Sequence, residues 1–314
     1  MKRAKILLHL GLPKTATSSL QHNVLQVLHF DERINFLGKC LSYDLVTKKI
    51  DIVNYKGKFI RDAAEGKASI KEARDRLVSV LDESKLNVFS DEGLMVAYPG
   101  KKNLPLSVKI NNLADIFKGY DVQVVVTLRN PVEYFYSLYV ELYPDYFSSV
   151  RKLNTIEKYG NELISKSEDV LFESFFFDRW IALIKSRFKI SVLSYERLAA
   201  GDVETMSKWA DLLGVDQQCF CGLFNVTKIN VKQKSGKEVR KIKDLRRIEI
   251  ALRGAATKVK PIYALLRWAY NSSGLKKILN RRVTSRKAHN FPEGVRLERI
   301  NAALISSVKV CESI

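Results

Sequence analysis

The 314-residue chain carries 53 Lys and Arg against 34 Asp and Glu, a formal net charge of +19 that suits a polyanionic ligand or an anionic surface. Four scattered cysteines (Cys40, Cys219, Cys221, Cys311) exclude a disulfide framework and an evident zinc site, leaving free thiols in a reducing compartment as the expectation. No run is apolar for long enough to span a bilayer, and neither internal repeats nor low-complexity linkers interrupt a length suited to one large α/β domain, alone or with a smaller appended region.

Met1-Lys2-Arg3-Ala4-Lys5 runs straight into an apolar strand over Ala4–Leu10, so no signal peptide is expected. Leu20, Val24, Val27 and Leu28 follow at helical spacing, so the intervening His9-Leu-Gly-Leu-Pro-Lys-Thr-Ala-Thr-Ser-Ser19 segment is a strand-to-helix turn. A helix N-terminus offers unpaired N–H groups and partial positive charge to an anion, and Lys14, Thr15, Thr17 and Ser18 add an ammonium and hydroxyls. As a plain turn, the same hydroxyls would only cap. Two residues, Leu12 and Pro13, separate Gly11 from Lys14, which is too few for a Walker A loop.

Helical spacing recurs over 67–84, and Leu86–Ser90 reads as a short buried strand ending in Asp91-Glu92. A carboxylate just past a strand end suits a general base, with Glu92 the first candidate and Asp91 its rival; both could equally be solvated or capping residues. An apolar strand before Asp-Glu also fits a Walker B element, which would make the chain a Mg²⁺-dependent nucleotide kinase or ATPase.

After a helix over 103–118, Val122–Leu128 is the most β-branched run in the chain and reads as a central buried strand. Arg129 stands at its carboxyl end, where open α/β sheets bind ligands. Asn130, Pro131 and Glu133 fit the N-cap, first position and capping-box partner of a helix that carries Ser137 about two turns on. Helices over 153–166 and 173–187, a strand over Phe188–Leu193 and a helix over 203–214 continue a strand-helix alternation, implying a mostly parallel central sheet flanked by helices.

Gly11-Leu12-Pro13-Lys14-Thr15-Ala16-Thr17-Ser18-Ser19-Leu20 resembles the 5′-phosphosulfate-binding loop of the sulfotransferases that use 3′-phosphoadenosine-5′-phosphosulfate (PAPS), approximately Gly-x-Pro-Lys-Thr-Gly-Thr-Thr-x-Leu. It departs at Ala16, which stands for a glycine and is unstrained only at negative φ, and at Ser18, which keeps the hydroxyl. Arg129…Ser137 resembles the same family's 3′-phosphate-binding motif, and Tyr195-Glu196-Arg197-Leu198 a Tyr-Glu-x-Leu element after a late strand; a buried tyrosine and a capping glutamate would read the same way. The resemblance implies a P-loop-like sulfotransferase fold over 1–235, with a basic helical region over 236–314 packed on or extending it. It also implies sulfuryl transfer from PAPS to an acceptor hydroxyl, on a saccharide or glycolipid, releasing 3′-phosphoadenosine-5′-phosphate (PAP). Lys14 and Glu92 would be catalytic, Gly11 to Ser18 with Arg129 and Ser137 would hold the nucleotide, and no metal is required. A cytoplasmic location is expected.

Asn225–Ser235 loosely resembles the loop that closes over the nucleotide in such enzymes, through Lys232 or Lys234, and 238–256 has helical spacing. Over 262–282 aromatic and aliphatic residues interleave with Arg and Lys, which fits either an ordinary amphipathic helix or peripheral contact with an inner membrane face. Nucleic-acid binding would use the same basic charge, but no helix-turn-helix, zinc-finger or aromatic RNA-binding signature accompanies it.

Overall fold

The computed structural model describes residues 4–44, 50–143, 146–147, 150–226 and 294–314, in two compact units. Residues 4–134, 166–226 and Asn301–Ile314 make the first; Phe135–Ser165 and 294–300 make the second. The expected helix over 238–256, the 262–282 stretch, Lys232 and Lys234 lie outside the described residues.

In chain order the strands are β1 (Lys5–His9), β2 (Ile34–Phe36), β3 (Lys39–Tyr43), β4 (Ile50–Tyr55), β5 (Leu86–Ser90), β6 (Asp121–Leu128) and β7 (Lys189–Ser194). Five of them form the expected sheet, parallel throughout, in the order β2-β5-β1-β6-β7. Leu8 of β1 pairs with Phe89 on one side and Val124 on the other. Leu8, Phe89 and Val124 to Val126 are wholly buried, as the continuous apolar runs of β1 and β6 require of strands covered on both faces. After β1 the chain leads towards β5 and β2, whereas after β6 it leads the other way to β7, so the switch point of the sheet lies at the carboxyl ends of β1 and β6.

The segment after β1 is helical from α1 (Thr17–Ser19) through a π segment (Leu20–Leu25) to α2 (Gln26–Phe30). Its i→i+5 bonding, seen in Gln26 N–H donating to the Gln21 carbonyl, turns Leu25 inward beside Leu20, Val24 and Leu28, and leaves Val27 only half-buried. The simple helical spacing places Val27 in that row instead.

Helices α3 (Lys58–Ala64), α4 (Ile70–Val80) and α5 (Leu106–Ile116) pack on one another. Next, α6 (Pro131–Leu142) starts in the first unit and continues into the second, which also holds α7 (Ile156–Ser165). In the first unit α8 (Phe177–Lys185) precedes β7 and α9 (Tyr195–Ala200) follows it. Beyond them α10 (Val203–Leu213) and α11 (Gln217–Asn225) are capped by Asp202 and Asp216, which accept from Thr205 N at 2.9 Å and Cys219 N at 2.7 Å. Trp209 of α10 stacks on Phe220 of α11 at 6.3 Å, and both join the apolar cluster that buries Leu20, Val24 and Leu28. The chain ends in α12 (Val295–Ala303) and α13 (Ile305–Glu312). Buried Ser307 of α13 accepts from Phe177 N and donates to Phe175 O, both at 2.8 Å.

The second unit is organised by aromatics: Phe135 stacks on Tyr159 at 4.9 Å, Tyr139 stacks on Phe147 at 5.3 Å, and Gly160 faces Ile300. Strands β2, β3 and β4 have no counterpart in the sequence reading. Three residues are too few to show alternation in β2, and β4 of the antiparallel β3–β4 hairpin leaves Ile52 and Val53 more than half exposed, so neither shows one-sided burial.

Candidate functional site

The loop after β1 is held in a shape few side chains favour. Lys14 and Ala16 both sit in the left-handed region, at φ 71° and 61°, which costs about 1–2 kcal/mol per L-residue. Ala16 therefore occupies the strained case, where a glycine would relax the chain. Buried hydroxyls hold the loop: Thr15 Oγ1 donates to the Leu12 carbonyl at 2.6 Å and Thr17 Oγ1 to the same oxygen at 3.3 Å. The Thr15 and Thr17 protons thus close the loop instead of facing an anion, a role residue type alone does not reveal. Ala16 supplies no side-chain cap to the following helix, so the first N–H groups have no built-in acceptor from that position.

Gly11 is required by its neighbour. A Cβ there would lie 2.4 Å from His9 Nε2. His9 is buried at the end of β1, with Nδ1 2.8 Å from Ser90 Oγ and its ring edge-on to Trp209 at 5.3 Å. Burial lowers its pKa from 6.5 to about 3, so the ring is neutral at ordinary pH. This places it as a wedge beneath the loop.

The carboxyl end of β6 meets the loop directly. Arg129 Nη1 donates to the Lys14 carbonyl at 3.4 Å, its guanidinium lies 5.1 Å from the centre of the Tyr195 ring, and Nη2 pairs with Glu133 at 2.5 Å. Its Nε is buried without a partner among the described residues. Asn130 caps α6, accepting from Val132 N at 3.1 Å and Glu133 N at 3.2 Å. The return bond of the capping box comes from elsewhere: Asn130 N donates to Glu196 Oε1 at 2.9 Å, while Glu133 reaches Arg129. Tyr195 and Glu196 thereby brace the β6 end, one by stacking and one by capping.

At the carboxyl end of β5 the two candidate carboxylates part company. Asp91 is fully buried and accepts from Lys39 Nζ (2.8 Å), Tyr55 Oη (2.5 Å), Arg61 Nη1 (3.1 Å) and Gly93 N (2.8 Å). Burial would raise its pKa, but the Lys39 and Arg61 charges and these donors hold the carboxyl below its usual range. Its lone pairs are occupied by the protein, so it joins the β3–β4 hairpin and α3 to the sheet and caps the turn Glu92–Met95. Glu92 keeps 23% of its side chain exposed. Lys39 Nζ lies 3.5 Å from its Oε1, and Gln21 Nε2 donates to its Oε2 at 3.2 Å.

Three adjacent strands therefore bring their carboxyl ends to one edge: β5 with Glu92, β1 with the Gly11–Ser18 loop, and β6 with Arg129. Arg129 touches the backbone of Lys14, and Gln21 ties Glu92 to the helix after the loop. Ser137 lies on α6 in the second unit. Gln21, Lys39, Tyr55 and Arg61 escaped the sequence reading because each is remote in sequence from the carboxylate it serves and belongs to no motif. All four cysteines are free, and among the described residues no helix is long and apolar enough to cross a membrane.

No protein-family model and no curated protein matches the chain. Among the solved structures it is similar to are several sulfotransferases. One from Alicyclobacillus acidocaldarius is 14% identical over 75% of this chain and 88% of its own, with a TM-score of 0.42. Mouse sulfotransferase SULT7A1, solved with PAP, is 14% identical over 74% of this chain and 68% of its own, with a TM-score of 0.40. The sulfotransferase domain of the Synechococcus PCC 7002 olefin synthase is 12% identical over 73% and 81%, with a TM-score of 0.34. Identities this low leave function to be argued from the chain's own residues.

Proposed function

We propose that this protein is a PAPS-dependent sulfotransferase that moves the sulfuryl group to an acceptor hydroxyl, on a saccharide or glycolipid, and releases PAP. The observation that carries the reading is the junction at the sheet's switch point, where a strained, lysine-bearing loop opens an uncapped helix and touches Arg129 from the neighbouring strand. A nucleotide with separate 5′ and 3′ anionic groups needs two such cradles. Sulfuryl transfer, like phosphoryl transfer, asks the protein mainly to position in-line oxygens and offset charge. In this scheme the loop N–H groups and Lys14 stabilise the 5′-phosphosulfate and the departing phosphate oxygen. Arg129 turns its fork from Glu133 to the 3′-phosphate, each charge-assisted bond contributing roughly 1.5–3 kcal/mol. Glu92, the more exposed carboxylate at the same edge, takes the acceptor proton. Asp91, already saturated by four donors, has little left to offer a magnesium ion, which weighs against the nucleotide-kinase alternative.

Calorimetric titration with PAP, beside ATP plus Mg²⁺ at the same salt, tests the donor class. PAP is expected to bind and ATP to give little heat. Lys14→Ala should lower PAPS turnover by about 10²-fold or more, as loss of a donor to developing charge does, and Arg129→Ala should weaken PAP binding about tenfold or more. Mg²⁺-dependent ATP binding with no PAP signal would replace this reading with the kinase.

A further inference from the structure

Gln21 is an amide in an unusual position. It follows the anion loop by one turn, inside the π segment, and is 1% exposed. π segments place side chains where a regular helix would not, and they recur at functional sites. Here the Gln21 Nε2 atom reaches three acceptors at the end of β5: Ser90 Oγ at 2.9 Å, Ser90 O at 3.3 Å and Glu92 Oε2 at 3.2 Å. The Ser90 hydroxyl is held in turn by His9 Nδ1 at 2.8 Å. The same hydroxyl oxygen that accepts from Gln21 thus lies within hydrogen-bond distance of the neutral His9 ring, and one Ser90 side chain joins the helix after the loop to the end of β1. Bonds to Ser90 alone would suffice to dock the helix on the sheet. The bond to Glu92 goes further, since it reaches a carboxylate that solvent can touch.

We propose that Gln21 is a positioning residue for the base: braced by Ser90, its amide fixes Oε2 of Glu92 and so orients the carboxylate, with Oε1 turned to Lys39, at the loop edge. This rests on the sulfotransferase reading above. In the step concerned, the acceptor oxygen forms a bond to sulfur as the bond from sulfur to the 5′-phosphate oxygen breaks. The electron pair leaves with PAP, and the acceptor proton passes to Glu92. Gln21 takes no part in the bonds made and broken at sulfur and acts only through the carboxylate it holds.

A double-variant cycle tests it, with water as the acceptor and release of PAP from PAPS as the signal. Gln21→Met keeps the length of the side chain and removes its donors. It is expected to lower kcat about tenfold, with KM for PAPS and Kd for PAP within about threefold of the parent. In a Glu92→Gln background the same change should cost nothing more, because residues that act through one another are not additive. Gln21→Asn, which retains the amide but falls short of Glu92, should reproduce the loss and serves if the Met variant folds poorly. Additive losses in the double variant, or a loss carried by KM alone, would overturn the positioning role. A parent that neither binds PAP nor turns over PAPS would overturn the donor reading itself, before any Gln21 variant is made.

Discussion

His9 shows how one residue sets both the shape and the acid sensitivity of the site. Its ring lies under Gly11, where a Cβ would come within 2.4 Å of Nε2, so the close turn and the buried imidazole depend on each other. The cost is thermodynamic. Burial depresses the folded pKa to about 3, below the unfolded value of 6.5, so between these values the unfolded chain binds a proton that the folded chain refuses. Stability from this group is therefore full above pH 6.5 and falls as the pH drops towards 3, by roughly 1.4 kcal/mol per pH unit. Moving from pH 7.5 to 5.0, the parent should lose on the order of 2 kcal/mol more than a His9→Gln variant, as measured by urea unfolding at both pH values. Equal losses would mean that His9 is protonated in the fold. Asp91 acts lower on the scale: its folded pKa is depressed, so its contribution is present above the ordinary carboxylate range and disappears only as the pH falls below it.

Among the elements, α6 has the most explicit local instructions, and its start also shows where sequence reading stops. Asn130 and Pro131 specify the cap and the first turn, and the Asn130 side chain accepts two backbone N–H groups as expected. Asn130→Ala should therefore destabilise the fold by about 1 kcal/mol, read as a lower urea midpoint with unchanged slope. The partner of the Asn130 N–H could not be found the same way, because Glu196 is 66 residues away and becomes a neighbour only when β6 and β7 pair. The same division runs through the site. The loop, the carboxyl-end arginine and the strands β1, β5, β6 and β7 of a mostly parallel sheet were legible, since each rests on a local run of residue types, whereas the order of the strands within the sheet was not. The π segment, the β3–β4 hairpin and the Lys39–Tyr55–Arg61 enclosure of Asp91 were not, because they depend on which distant residues tertiary packing brings to one carboxylate.

For the whole molecule the governing quantity is the net charge of +19, much of whose excess lies in the sequence after residue 225. A field of that sign acts on a nucleotide before any contact is made, and PAP carries two phosphate monoesters of about −1.5 to −2 charges each at pH 7. The screening length falls from about 30 Å at 0.01 M salt to about 8 Å at 0.15 M, so long-range attraction is largely removed across that interval, while the partly buried bonds proposed at the loop and at Arg129 would be screened much less. Encounter and residence should thus respond differently. In stopped-flow binding of PAP, raising salt from about 0.01 to 0.15 M should slow association about tenfold and change dissociation by no more than about twofold. An association rate indifferent to salt would show that the basic excess is turned away from the nucleotide and serves another surface. A salt effect borne chiefly by dissociation would instead show PAP held by exposed charges, and the partly buried junction of Lys14 and Arg129 would lose its place as the proposed nucleotide cradle.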